Sequence, residues 1–320
     1  MIDRNSRNFS YSSQLGILLG LIGGGLIIGT LISAVMWIVM TGRPLLSMAN
    51  DITNLKYYIA LMWIQAVSTF FMFFLPVYFT ALICYRNPAK FIGFNFRINF
   101  KQLIIVLAIL VLTFPLSGAL AELTKMIPIT KGMEVKFKAM ETSREAQEAV
   151  LININSFSRY ILSMIIIGLL PAIFEEVCFR GGLQNILTRW FKGPWIAIIV
   201  TSIIFSAIHI SYYGFFVRFV LGVALGLVYY YSGSIWLNIL FHFLYNGIQV
   251  TMLYVATMSP GKNTKDIEDN FPLWMGAIAL VLIIYAFIKF REISLLKQQK
   301  YVFPELEDPD DFHNWITKES

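Results

Sequence analysis

Residues 160–191, YILSMIIIGLLPAIFEEVCFRGGLQNILTRWF, decide the fold. The first half is apolar enough to cross a bilayer, which takes about 20 residues of helix. Yet Glu175, Glu176 and Arg180 fall inside it, where ionisable side chains are costly and point to function by default. Beyond Arg180 the pattern turns amphipathic, predicting a helix that leaves the bilayer and continues to about Phe191, until Lys192–Pro194 stops it. Two later apolar stretches repeat the anomaly: FSAIH ends in His209, and HFLYN carries His242 and Asn246.

The rest of the 320 residues supply the setting. With 57% hydrophobic residues, 14% charged and a mean hydropathy of +0.67, the composition excludes a water-soluble globule. It predicts an all-α, polytopic membrane protein with about eight transmembrane helices around a polar intramembrane cavity. The candidate spans are 15–40, 57–84, 103–121, 160–180, 195–211, 215–231, 235–254 and 271–288. The net charge of +6 is spread over connecting segments, which suits membrane topology and anionic headgroups and sets nucleic acid aside as a partner. Cys84 and Cys178 lie in apolar runs and provide neither a disulfide framework nor a metal-binding set. The run from Leu15 to Met40 is too long for a signal-peptide core and is expected to remain as a helix.

Four regions follow from this pattern: N-terminal helices 1–3 and a polar insert (1–157), a polar-site core (158–254), a last span (255–290) and a polar tail (291–320). The insert, residues 122–159, alternates acidic and basic side chains and reads as a solvated helix or interfacial lid. The tail, which holds His313, reads as a mobile solvated extension. With eight spans both termini share a side. The short connections there hold Arg4, Arg7, Arg86, Lys90, Arg97, Lys101, Arg189, Lys192, Lys289 and Arg291, so that side is expected to be cytoplasmic, at the cell membrane.

Spacing brings the polar groups together. Glu175 and His209 are equidistant from Lys192, so a hairpin turning there sets both at one depth, about 25 Å along the helices. A second hairpin turning at Ser232–Ser234 on the same side would place His242 and Asn246 on one helix face, about 13 and 19 Å beyond that turn. Pro171 removes a backbone hydrogen bond one turn before Glu175, and loosening there would offer a substrate strand a place to pair. Gly222 and Gly226 form a GxxxG that favours close helix packing.

The chemistry fits peptide hydrolysis. A carboxylate in an apolar cavity is a general base for water, and imidazole and amide groups offer donors to a developing oxyanion. Glu176 and Arg180 can form an i,i+4 ion pair that orients the segment.

FEEVCFRGGL resembles the EExxxR motif, FSAIH the FxxxH motif and HFLYN the HxxxN motif of the CPBP family, which comprises type II CAAX prenyl endopeptidases and related bacterial membrane proteases. The three motifs occur in family order over roughly residues 158–250. The resemblance implies an intramembrane endopeptidase in which Glu175 and His209 activate water while His242 and Asn246 stabilise the oxyanion. Glu176, Arg180 and Phe205 would support them. No obligatory cofactor is expected; if zinc is bound, Glu175, His209 and His242 would hold it. The implied partner is a membrane-associated protein or peptide, lipidated in some members of the family. A catalytically silent bacteriocin-immunity or scaffold protein of the same fold is the alternative. A transporter is a weaker one, since no second copy of the motifs is present.

Elsewhere the simpler readings hold. Buried Cys178 is expected to be an inert filler, and Arg218 to snorkel to the interface, with substrate-carboxylate recognition as the minor reading. Tyr212, Tyr213, Tyr229, Tyr230 and Tyr231 are expected to form an aromatic belt.

Overall fold

The main helices are α1 (Tyr11–Thr41), α2 (Leu55–Cys84), α3 (Phe100–Lys125), α4 (Lys131–Leu151), α5 (Phe157–Phe191), α6 (Pro194–Ala207), α7 (Phe215–Ser232), α8 (Ile235–Met258) and α9 (Leu273–Lys300). They come from a computed structural model that describes residues 6–95, 98–151, 153–258 and 271–300. Seven of them, all but α4 and α6, are long and apolar enough to cross a membrane. The protein is all-α and polytopic. Val39, Val111 and Val281 point outward from α1, α3 and α9, as lipid-facing side chains do where backbone groups are satisfied within each helix.

Local chemistry sets the ends. Ser10 caps α1, accepting from the Ser13 N–H, and Gly42 closes it in the left-handed conformation, φ 67°. Asn99 and Gln102 form a capping box on α3. Lys192 ends α5 at φ 53°, and Pro194 opens α6 two residues later, as the expected stop at Lys192–Pro194 requires.

Two boundaries differ from the sequence expectation. The span expected over 195–211 is a helix of 14 residues, about 21 Å long, which falls short of the roughly 30 Å hydrocarbon core. It stops because Ile210 adopts φ 49°, a conformation no helix can continue through and one unusual for a β-branched residue. His209 therefore sits on the turn after α6. At the other end, α9 runs to Lys300, well past the expected end at 290. Residues 301–320, with His313, lie outside the described residues, as do Arg4 and Arg97.

Contacts gather the connections on one face. The Arg7 N–H donates to the Cys84 carbonyl at 2.7 Å, and the Ile235 N–H to the Gly93 carbonyl at 3.0 Å. Gln102 at the start of α3 donates to Ser294 near the end of α9 at 2.9 Å, and the Arg189 guanidinium stacks over Tyr85 and Phe91. The start of α1, the end of α9 and the turns after α2, α5 and α7 thus share a side, as the hairpin argument requires. The α1–α2 connection, α4 and the α6–α7 turn lie at the opposite ends of these helices.

Two apolar clusters hold the bundle. One joins α1, α2, α5 and α6 through Leu18, Val77, Phe179, Ile186 and Phe205. The other joins α3, α7, α8 and α9 through Ile109, Leu225, Phe241 and Ile283. The GxxxG on α7 closes the seam with α6 and α5: a Cβ on Gly222 would lie 3.0 Å from the Ser202 Cβ, and one on Gly226 would lie 2.9 Å from Ile198. That approach exposes their carbonyls to Arg180 and Gln184 of α5, which donate to Gly222 at 3.1 Å and Gly226 at 3.0 Å. Tyr229 is fully packed in this region, donating to the Ile92 carbonyl at 3.1 Å. It does not belong to an interfacial belt.

Candidate active site

The backbone of α5 is unusual where the acidic pair lies. Wide π turns at Met164–Leu169 and Val177–Gln184 flank an α-helical turn at Leu170–Glu176. Pro171, which cannot donate, follows the first, and Gly181 and Gly182 lie in the second, packed on Ile92 and Val77. Such insertions re-aim side chains and recur at functional sites. The expected loosening at Pro171 therefore takes the form of a wide turn inside a continuous helix.

Glu176 is the centre of a buried polar network in which its own carboxylate is fully engaged, while Arg180 Nε and Asn238 Oδ1 have no partner among the described residues. Fully buried, it accepts from Arg180 at 2.9 Å, from His242 Nδ1 at 2.8 Å and from Asn238 at 3.2 Å. Arg180, also fully buried, lies with its guanidinium 4.8 Å from the centre of the Phe205 ring. Asn238 also donates to the Leu225 carbonyl at 2.6 Å. The expected ion pair between Glu176 and Arg180 is present, and Glu176 reaches further, to His242 itself. Asn238 was not legible as a site residue. Its signal is the spacing NILFH, which puts it one turn before His242 on the same face of α8.

Glu175 is the opposite case. It makes no hydrogen bond among the described residues and keeps 9% of its surface. Its nearest polar neighbour is His242 Nε2, at 3.9 Å from Oε2. Because a carboxylate only accepts, the bond to Glu176 requires His242 to carry its proton on Nδ1, leaving Nε2 towards Glu175. His209 shows the same logic, with Nδ1 at 2.8 Å from the Phe205 carbonyl, so its proton is on Nδ1 and its Nε2 is an acceptor. Phe205 separates the two imidazoles, with ring centres 5.2 Å from His209 and 6.0 Å from His242. Asn246 lies one turn beyond His242, half-buried, with no side-chain hydrogen bond among the described residues. Thus Glu175 and His242 are brought together, His209 flanks them across Phe205, and Asn246 shares the His242 face without touching the others.

The donor chemistry of Glu175, His209 and His242 would suit zinc, but among the described residues no three His, Cys, Asp or Glu side chains are gathered as a metal site needs. Cys178 is buried and free.

The polar insert covers the His209 turn. Phe137 of α4 stacks on Tyr212 with ring centres 4.4 Å apart, and Ser211 donates to Glu141 at 2.9 Å. Arg144 pairs with both Glu141 and Glu148. Burial works to lower its pKa, and the two carboxylates more than offset this and raise it. Of the two readings, solvated helix and lid, these contacts favour the lid. Arg218, one turn into α7, is half-buried, with its Nη1 buried and without a partner among the described residues.

Comparison with known proteins adds the family. Residues 157–248 match the family described as type II CAAX prenyl endopeptidase Rce1-like. The uncharacterized protein YpbD of Bacillus subtilis (strain 168) is similar, at 30% identity over 124 residues; the match covers 37% of this chain and 61% of that protein. No solved structure matches the chain. The matched segment, less than a third of the chain, runs from the start of α5 through Asn246, so the acidic pair, His209, His242 and the Glu176 network all fall within what is similar to that family.

Proposed function

We propose that the protein hydrolyses a peptide bond of a membrane-associated protein or peptide, with Glu175 as the general base. The observation that carries this is the contrast within one dipeptide: Glu176 accepts from three donors, whereas Glu175 makes no hydrogen bond among the described residues and faces His242 Nε2 at 3.9 Å. A carboxylate left unbonded in an apolar cavity is poised to take a proton from water.

In this reading a water lies between Glu175 and His209. Glu175 takes one of its protons while the His209 Nε2 lone pair accepts the other in a hydrogen bond and aims the oxygen. The hydroxide adds to the carbonyl carbon, and the carbonyl π electrons become the oxyanion. Asn246 donates to that oxygen through its amide. His242 is the second oxyanion contact, donating from Nε2 when that nitrogen carries a proton, while Glu176 holds Nδ1. Collapse of the intermediate breaks the C–N bond, and the proton held by Glu175 passes to the leaving amine. No step needs a metal. The basic face that holds the start of α1 and the end of α9 would be the cytoplasmic one.

The test is comparison of new protein N-termini in membranes holding the wild type or Glu175→Ala. Cleavage products present only with the wild type support the reading and name the substrates. Identical sets would leave the scaffold alternative.

A further inference from the structure

We propose that α4 is a hinged lid that must swing away before water and the peptide substrate reach Glu175 and His209, entering from the face opposite the basic one. This deepens the endopeptidase reading above and rests on it for the substrate.

The hairpin of α6 and α7 is too short to cover the site by itself. α6 ends at Ala207 and the chain turns at Ile210, φ 49°, so the hairpin stops beside His209. α8 runs on from His242 to Met258, about 24 Å further. α5 runs from Glu175 back to Phe157, about 25 Å in the same direction, and Tyr160 near its start bonds Thr251 of α8 at 3.0 Å. Over the α6–α7 turn, the space alongside these two helices is covered by α4, through Phe137 on Tyr212 and Glu141 on Ser211. Towards the basic face the packing is tight: every residue of α5 from Phe174 to Arg189 is buried, and Arg180 and Gln184 close the seam with α7.

The two ends of α4 are held differently. At its C-terminal end Val150 is buried with Trp37, Tyr57, Leu61 and Ile64, and Leu151 packs against them, an apolar joint that fixes that end. Towards the tip the inward face is Glu134, Phe137, Glu141, Arg144 and Gln147, each half-buried, and only Phe137 of these is apolar. Among the described residues the tip is tied to the α6–α7 turn by one ring stack, 4.4 Å between centres, and one hydrogen bond of 2.9 Å. Each is worth a factor of about ten in an equilibrium constant. Arg144 pairs with Glu141 and Glu148 of α4 itself, so it moves with the helix. The outward side carries exposed Met133, Val135 and Met140 beside Lys136 and Lys138, a composition that rests in a lipid headgroup layer. A freed tip therefore has somewhere to go, and the opening is local, with the bundle beneath it unchanged.

The test uses the full chain in nanodiscs, in a Cys84→Ala, Cys178→Ala background, with two readouts. Asn246→Cys reports entry to the site through its rate of labelling by a charged, water-soluble methanethiosulfonate. Phe137→Ala removes the stack and should speed this labelling about tenfold, with the melting temperature close to that of the parent. For turnover, Glu141→Cys and Ser211→Cys are bridged by a short reducible bis-methanethiosulfonate linker, and cleavage of a pool of lipid-anchored randomised peptides is read by mass spectrometry. Bridging should lower turnover about tenfold or more, and reductant should restore it, which separates a locked lid from a misfolded protein. Labelling that Phe137→Ala leaves unchanged, or a bridged protein that cuts as fast as the unbridged one, overturns the lid. Faster labelling in Phe137→Ala with no cleavage of the pool by the wild type supports the lid and sinks the endopeptidase reading instead.

Discussion

The two sides of the site differ in how completely their polar groups are satisfied. On the α5–α8 seam, Glu176, Arg180, Asn238 and the Nδ1 edge of His242 bond one another in full burial. On the side facing α6 and the lid, Glu175, Asn246 and Arg218 make no side-chain hydrogen bond among the described residues, and His209 bonds only a backbone carbonyl. Both sides consist of groups that are expensive to bury. The closed side offsets most of that cost internally, with Arg180 Nε and Asn238 Oδ1 left without a partner among the described residues, and so acts as scaffold; the open side leaves more of it standing, as a site that awaits water and substrate does.

The largest effect should come from breaking the closed side. Arg180→Met strands the Glu176 carboxylate and is expected to lower stability by about 3–5 kcal/mol, read as a steep fall in the melting temperature of purified protein. Adding Glu176→Gln should restore part of it, because removing both charges is far cheaper than removing one. On the open side, His209→Ala should reduce turnover about a hundredfold, roughly 2.7 kcal/mol of barrier, with melting unchanged. Asn238→Ala belongs to the closed side and should cost about 1–2 kcal/mol of stability, with a smaller loss of turnover from the freed His242 ring. Chelation should leave turnover intact and elemental analysis should find far less than one zinc per chain; loss of activity rescued by zinc would return Glu175, His209 and His242 to a metal-binding role. Smallest is Cys178→Ala, with turnover within about twofold of wild type, since this cysteine is a buried filler.

Much of this division was legible before any coordinates. Apolar run lengths gave most of the helices, and the equal arms about Lys192 predict one depth for Glu175 and His209, because helix rise is fixed. The i,i+4 pair of Glu176 and Arg180 follows from helix geometry alone. What sequence could not show was where the backbone departs from that geometry. The left-handed Ile210 ends α6 early and moves His209 onto a turn. The wide turns in α5 change side-chain direction without changing hydropathy. Asn238 looked like an ordinary polar residue because its role depends on Glu176 from another helix.

The central claim is that adjacent carboxylates divide the work, Glu175 reacting and Glu176 holding. The most direct test measures turnover and melting temperature together for Glu175→Gln and Glu176→Gln, using a substrate identified from the membrane comparison. Glu175→Gln should lose turnover by about a thousandfold while melting close to the wild type, because its carboxylate makes no hydrogen bond among the described residues and lies 3.9 Å from His242 Nε2. Glu176→Gln should melt well below wild type and lose less turnover. Substantial turnover in Glu175→Gln, or a melting loss greater than that of Glu176→Gln, would contradict the account.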